Sequence, residues 1–184
     1  VSTTNETSIK IKENEYAEYQ VIAIDEKGFQ SFAGEPLVVT DASSIKMYEL
    51  EKFMSPSDKQ YKGFSGQGFV EISKSKKRSL SIPITVTNAG TYSIDCRYAN
   101  GNGPVNTENK CAIRTLKING VQKGTLVFPQ RGKEEWSNWG FSNGIQIKLV
   151  PGTYQLELSL ESYDDNMNGD INQAMIDYLR ITKL

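Results

Sequence analysis

Glu49 and Glu51 stand two residues apart in the run Tyr48-Glu49-Leu50-Glu51. On an extended strand side chains repeat with period two, so both carboxylates leave the same side of the chain. Like charges so placed repel unless a cation lies between them. Calcium suits that place, because it takes about six to eight hard oxygen ligands from carboxylates and main-chain carbonyls. A second acidic run, Asp164-Asp165-Asn166-Met167-Asn168-Gly169-Asp170-Ile171, has the Asp-X-Asn-X-Asn-Gly spacing of a calcium loop. The position that should carry a bidentate glutamate is Met175, so at most a looser site is expected there. Adjacent acids, Asp164/Asp165 and Glu134/Glu135, raise the question of acid-base catalysis. Hydrolysis of a glycosidic bond needs two carboxyl groups roughly 5 to 10 Å apart on either side of that bond. Neighbouring residues on one loop diverge instead, and the chain is not expected to be an enzyme.

Other chemistry is excluded by composition. The 184 residues contain no histidine, which removes the commonest general base, the commonest zinc ligand and every Ser-His or Cys-His arrangement. With 21 basic and 22 acidic residues there is no general basic field, so no nucleic acid partner is expected. Apolar runs such as Tyr19 to Ile24 are far too short to insert into a membrane. The first residues lack the basic-then-apolar order of an export signal, which is expected to have been removed or to lie outside this sequence. Cys96 and Cys111 are not in a Cys-X-X-Cys spacing. They are expected on neighbouring strands, with the polar loop Tyr98 to Lys110 between them. A disulfide there and a pair of thiols both remain open.

The elements that must position these residues are strands. Glycine, proline and asparagine punctuate short alternating apolar stretches at intervals of roughly 8 to 12 residues, the pattern of an all-β sandwich. Predicted strands include Ala17–Asp25, Leu37–Thr40, Lys46–Glu51, Gly68–Ile72, Ser79–Val86, Gly90–Tyr98, Ala112–Ile118, Gly144–Leu149, Gly152–Leu160 and Met175–Thr182. Asn88-Ala89-Gly90, Asn119-Gly120 and Pro151-Gly152 supply turn chemistry at the joints. Residues 1–41 read differently. Tyr19 to Asp25, Lys27-Gly28 and Glu35 to Val39 resemble the last strands of a fibronectin type III domain, of which a segment this short is only the C-terminal part. The expected division is therefore 1–41, a partial neighbouring domain, and 45–184, the sandwich.

Across 45–184 an ordered series of motifs carries a second resemblance. It comprises Tyr48-Glu49-Leu50-Glu51, Ser65-Gly66-Gln67-Gly68-Phe69-Val70, Arg97-Tyr98-Ala99-Asn100-Gly101, Ile118-Asn119-Gly120, Trp136-Ser137-Asn138-Trp139 and Ile176-Asp177-Tyr178-Leu179-Arg180-Ile181. The series resembles family 6 and family 35 carbohydrate-binding modules. The resemblance implies a jelly-roll β-sandwich of the galactose-binding-like type, without catalysis, whose partners are a glycan or polysaccharide and a catalytic domain in the same full-length chain. It implies an extracellular, cell-surface or periplasmic location. It also implies a structural calcium held by Glu49, Glu51 and Asp177, and a sugar sandwiched by Tyr98 and Trp136.

Sugar binding needs a flat apolar surface for the C–H face of a pyranose and polar groups for its hydroxyls. Alternation back from Leu149 through Ile147, Ile145 and Phe141 places Trp139 with the core and Trp136 on the opposite side. Asn100 offers an amide to a hydroxyl, or forms a turn. The family's asparagine two residues before the last aspartate is Met175 here, for which Asn172 or Gln173 is the candidate substitute. Asp164 and Asn172 bound the third loop of the expected cleft. The alternative is an accessory sandwich that packs on a glycoside hydrolase and keeps only a vestige of the sugar site.

Overall fold

A computed structural model describes residues 3–6, 8–10, 17–31, 34–103, 110–164 and 171–184. In chain order the strands are β1 (Ala17–Tyr19), β2 (Leu37–Val39), β3 (Ile45–Glu49), β4 (Val70–Ile72), β5 (Ser79–Val86), β6 (Gly90–Ala99), β7 (Asn102–Gly103), β8 (Ala112–Ile118), β9 (Val121–Phe128), β10 (Gly132–Lys133), β11 (Gly140–Phe141), β12 (Ile145–Leu149), β13 (Gly152–Ser159) and β14 (Ala174–Lys183). Among the described residues no helix is long and apolar enough to cross a membrane.

Two antiparallel sheets form the all-β sandwich. The first runs β11-β6-β14-β3, with β12 also on β6 and β4 also on β14; the second runs β5-β13-β8-β9. Strict alternation makes the inner faces. In β5, Leu80, Ile82, Ile84 and Val86 are buried, and the residues between them face solvent. They meet Ile94, Cys96 and Tyr98 of β6, Leu116 of β8, Leu156 and Leu158 of β13, and Ile176 and Leu179 of β14. Each such side chain stabilises the fold by about 1.5 to 3 kcal/mol relative to leaving it in water. Pro83, which has no N–H for a ladder, lies on β5 at the edge of its sheet. Asn119 and Gly120, at φ +50° and +79°, turn β8 into β9.

The outer face of the first sheet is not left to water. Phe69, Ala99 and Met175 are buried there beneath Tyr61, Phe64, Trp136 and Trp139, forming a second, smaller apolar cluster. Two irregularities shape this face. The register of β14 on β6 shifts between Ile176 and Tyr178, which sets Asp177 at a bulge. On the other side of β6, Phe141 pairs with Arg97 and Ile145 with Ile94, so three intervening residues oppose two. That extra residue reverses the parity between β12 and β11. Trp139 consequently lies in the outer cluster, not between the sheets as unbroken alternation predicts.

Cys96 and Cys111 are not on neighbouring strands. Cys96 belongs to β6 of the first sheet and Cys111 precedes β8 of the second, and no disulfide joins them. Strands β6 and β8 belong to different sheets; a similar spacing serves a hairpin or a crossover, which is why sequence alone does not separate them. Burial pushes the Cys96 thiol well above its usual range.

β1 pairs antiparallel with β2, and the chain between them reverses through Asp25–Phe29, forming a hairpin. Its described contacts with the sandwich include Glu18 to Ser93 Oγ at 3.3 Å and Glu35 to Arg131, and just after it Thr40 Oγ1 reaches the Lys183 carbonyl at 3.4 Å.

Candidate functional site

The first candidate cluster joins the end of β3 to the bulge of β14. Glu49 ends its strand, and Leu50–Lys52 form a single 3-10 turn, so Glu51 is not a strand residue as period two requires. The turn nevertheless brings both glutamates to Ser65-Gly66-Gln67, where Asp177 arrives from the opposite side. Ser65 N donates to Asp177 at 3.1 Å, and Gln67 N donates to Glu51 Oε1 at 3.0 Å. Ser65 Oγ lies 2.9 Å from Glu49 Oε1 and 3.2 Å from Asp177 Oδ1, with a single hydrogen to give. Arg97 pairs with Asp177 Oδ2. Gly66, at φ +62°, lets the backbone lie against the glutamates; a Cβ there would strike Glu51 Oε1 and stand 3.1 Å from Glu49 Oε2.

Donors run short in this cluster. Glu51 Oε2 is buried without a partner. Burial first, and then the charges of Asp177 and Glu51, hold the Glu49 carboxyl above its usual range against the Ser65 hydrogen bond. Burial also raises Asp177 despite Ser65 and Arg97. The donor set, three carboxylates and a hydroxyl, is of the hard-oxygen kind that calcium takes. Among the described residues no three acidic or cysteine side chains close into a metal cage, so an ion would have to draw Glu49, Glu51 and Asp177 together.

The second candidate lies on the same outer face. Across β14, Met175 pairs with Glu71 of β4 and Ala99 of β6, which sets the three in one row. Tyr61 stacks on Phe69 at 5.8 Å and on Trp136 at 5.7 Å, the last two rings 10° from parallel. Gly101 permits the approach of Trp136, because a Cβ there would come within 2.8 Å of the indole. Beside these rings opens a recess of about 370 Å³ lined by Glu71, Ser73, Lys76, Asn102, Ile171 and Gln173. Burial, then the charges of Glu71 and Glu134, push the Tyr61 hydroxyl above its usual range.

The polar wall of the recess is built from the core outward. Asn100, fully buried, donates to the carbonyls of Lys110 and Phe128 at 3.1 and 2.9 Å. Its Oδ1 accepts from Asn102 N and Nδ2, and Asn102 Nδ2 reaches the Gln173 carbonyl at 3.0 Å. Gln173 Nε2 donates to Glu71 Oε1, and Lys76 Nζ pairs with Glu71 Oε2, each at 2.9 Å.

Of the residues expected to touch sugar, Gln173 lines the recess, and Trp136 stands over Gly101, the chain neighbour of Asn102 in the lining, with part of its surface exposed. Tyr98 has the parity of Ile94 and Cys96; it is 2% exposed and meets Phe128 edge-on at 5.3 Å, which leaves no face for a ligand. Asn100 holds Asn102 rather than a ligand. Asn172 is 1% exposed, and its Oδ1 accepts from Ile113 N and Arg114 Nη1 at 3.0 and 2.7 Å. Asp164 is buried, accepting from Thr115 Oγ1 at 2.7 Å and Glu161 N at 3.0 Å. The rest of the calcium-loop spacing, Asp165 to Asp170, lies outside the described residues. Sequence reasoning missed Tyr61, Glu71, Lys76 and Asn102. A signal for Glu71 existed: it is the one charge in the apolar strand Phe69-Val70-Glu71-Ile72.

No protein-family model matches the sequence. Over 110 residues, 60% of the chain, it is 30% identical to a cycloisomaltooligosaccharide glucanotransferase of Niallia circulans, of whose length it spans only 10%. A solved family 35 carbohydrate-binding module from an environmental isolate superposes with a TM-score of 0.57 and 26% identity, over 74% of this chain and 92% of that one. Another family 35 module, solved with a glucuronic acid-containing disaccharide, gives a TM-score of 0.51 and 26% identity over 68% of this chain and 80% of that one.

Proposed function

We propose, from the premise that the sandwich is a carbohydrate-binding module of the family 35 type, that it binds glycan at the recess beside Tyr61 and Trp136 and performs no chemistry of its own. The observation that carries this reading is a recess lined by a carboxylate, an ammonium and two side-chain amides, with the stacked Tyr61 and Trp136 near it on the same face. An aromatic lip takes the C–H face of a pyranose, and the polar wall exchanges hydrogen bonds with its hydroxyls. Linked to a glycan-processing catalytic domain, such a module raises the local concentration of substrate. The relative named above is itself such an enzyme, and the chain matches about a tenth of it. The working place of the whole is where polysaccharide lies: outside the cell, on its surface or in the periplasm.

The same reading gives Glu49, Glu51 and Asp177 a calcium ion, with the Ser65 hydroxyl beside them. The unpartnered Glu51 Oε2 and the repulsion between the acids support it. When bound, the ion supplies positive charge that fastens the end of β3 and the 64–67 loop to β14. The hairpin at residues 17–39 is read as part of a neighbouring β-domain, because Val21, Ile22, Ile24, Phe29 and Leu37 are all exposed on it.

Affinity electrophoresis through gels containing neutral glucans, xylans and uronic acid-bearing polysaccharides tests the main claim. Retardation by at least one, lost in Trp136→Ala, is expected. Free migration through every gel, with or without calcium, would favour an accessory domain that packs on its enzyme.

A further inference from the structure

The recess has a charge pattern that selects among sugars, and the argument rests on the binding reading above. Glu71 is 7% exposed, with one carboxylate oxygen on Lys76 and the other on Gln173. A carboxylate oxygen has two lone pairs, so each retains capacity for a hydroxyl donor while its existing bond stays in place. Lys76 is the cation of the recess lining, and Glu71 already neutralises it. Glu134 acts with Glu71 on Tyr61, and Asp58 with Glu71 on Lys76, while Lys74, Lys77 and Arg78 flank Lys76 in the sequence outside the recess lining. A hydroxymethyl group entering this recess finds acceptors for its proton. A carboxylate in the same position has no proton to give, faces Glu71, and must compete with it for Lys76. Like-charge juxtaposition of this kind is a usual device of specificity.

We infer that Glu71 makes the recess selective for neutral sugars against uronic acids, by consuming the charge of Lys76 and presenting acceptors to hydroxyl groups. Glu71 is therefore a specificity-determining residue, and the ligand class is a neutral glycosyl unit.

Matched probes test the inference: glucosyl disaccharides of several linkages, each beside the same disaccharide with its terminal C6 oxidised to a carboxylate, titrated calorimetrically into the full chain. Wild type is expected to prefer the neutral member of a pair by about tenfold or more, the scale of a charged hydrogen bond exchanged for like-charge repulsion. Glu71→Gln keeps the shape and frees Lys76, so the preference should move toward the uronate by at least about tenfold. Adding Lys76→Met to that variant should cancel the gain for the uronate. Equal or tighter uronate binding by wild type overturns the inference, as does an unchanged preference in Glu71→Gln with native circular dichroism. Trp136→Ala should weaken both members of a pair alike, which separates loss of the site from loss of selectivity. Binding of neither member of any pair by wild type overturns the binding reading and this inference with it.

Discussion

Trp136 and Trp139 are three residues apart and have unlike duties. Trp136 stands partly exposed against Tyr61 and over Gly101, the chain neighbour of Asn102 in the recess lining. Trp139 donates its indole N–H to the Lys62 carbonyl at 2.6 Å and leans on Phe64 and Phe69. Trp136→Ala should therefore cost at least about 2 kcal/mol of glycan affinity, as truncation of a binding anchor does, and lower the thermal midpoint less than Trp139→Ala, by the loss of its stack on Tyr61. Trp139→Ala should instead cost about 3 kcal/mol of stability, measured by urea unfolding, because a half-buried ring and its hydrogen bond are both lost. Asn172 makes a third case. Arg114, fully buried with its Nε unpartnered, relies on Asn172 Oδ1 as one of its acceptors, and burial lowers its pKa to about 10. Asn172→Ala should destabilise the protein by about 2 to 3 kcal/mol, the range for a charged group deprived of a buried hydrogen bond, with glycan affinity intact in the folded fraction.

At the scale of elements, strand and loop contribute unequally to what a sequence reveals. Ser79–Val86 was readable to the residue, because alternation of apolar and polar side chains is set by the two sides of a half-buried strand. The irregular residues were not. Glu51 reaches its place through a 3-10 turn, Asp177 through a bulge, and Trp139 through an extra residue after β11, and each breaks the period that sequence reasoning depends on. Tyr98 was misjudged for a related reason: its motif is legible, but the side of the sheet it faces is a matter of register. The carboxylate cluster joins three of these irregular pieces, so a cation there should act on the whole fold. Saturating calcium at a hundredfold its Kd would add about 2.7 kcal/mol, which in a chain of this size raises the melting temperature by about 5 to 10 °C. Scanning calorimetry with and without a chelator measures it, and Glu51→Gln should abolish the difference. Protons compete for the same oxygens. Because Glu49 and Asp177 are held above the usual carboxylate range, the calcium effect should fade as pH falls through that raised range. In the chelated protein their local contribution has the opposite sign: the folded state holds these protons more tightly than the unfolded chain, so it gains stability as pH falls.

For the whole molecule, the contrast is between a two-sheet sandwich with a continuous core and a hairpin that lacks one. An isolated two-stranded hairpin is marginal in water, and the tethers described for this one include the ion pair of Glu35 with Arg131. Exposed ion pairs contribute little and are screened by salt. Amides of β1 and β2 should therefore exchange with deuterium well before those of β6 and β14, and the gap should widen at higher ionic strength. Uniform protection across both would show that the hairpin belongs to the sandwich's own cooperative unit. The outer cluster has a further property. It holds both tryptophans of a chain that has only two, whereas the main core contains Tyr92 and Tyr98 and no indole. Fluorescence excited at the red edge of the absorption band thus comes from the outer face of the first sheet alone, the side proposed to bind glycan. Arrival of a sugar, and loosening of that side ahead of global unfolding, are both written into the emission of the native protein, without a label.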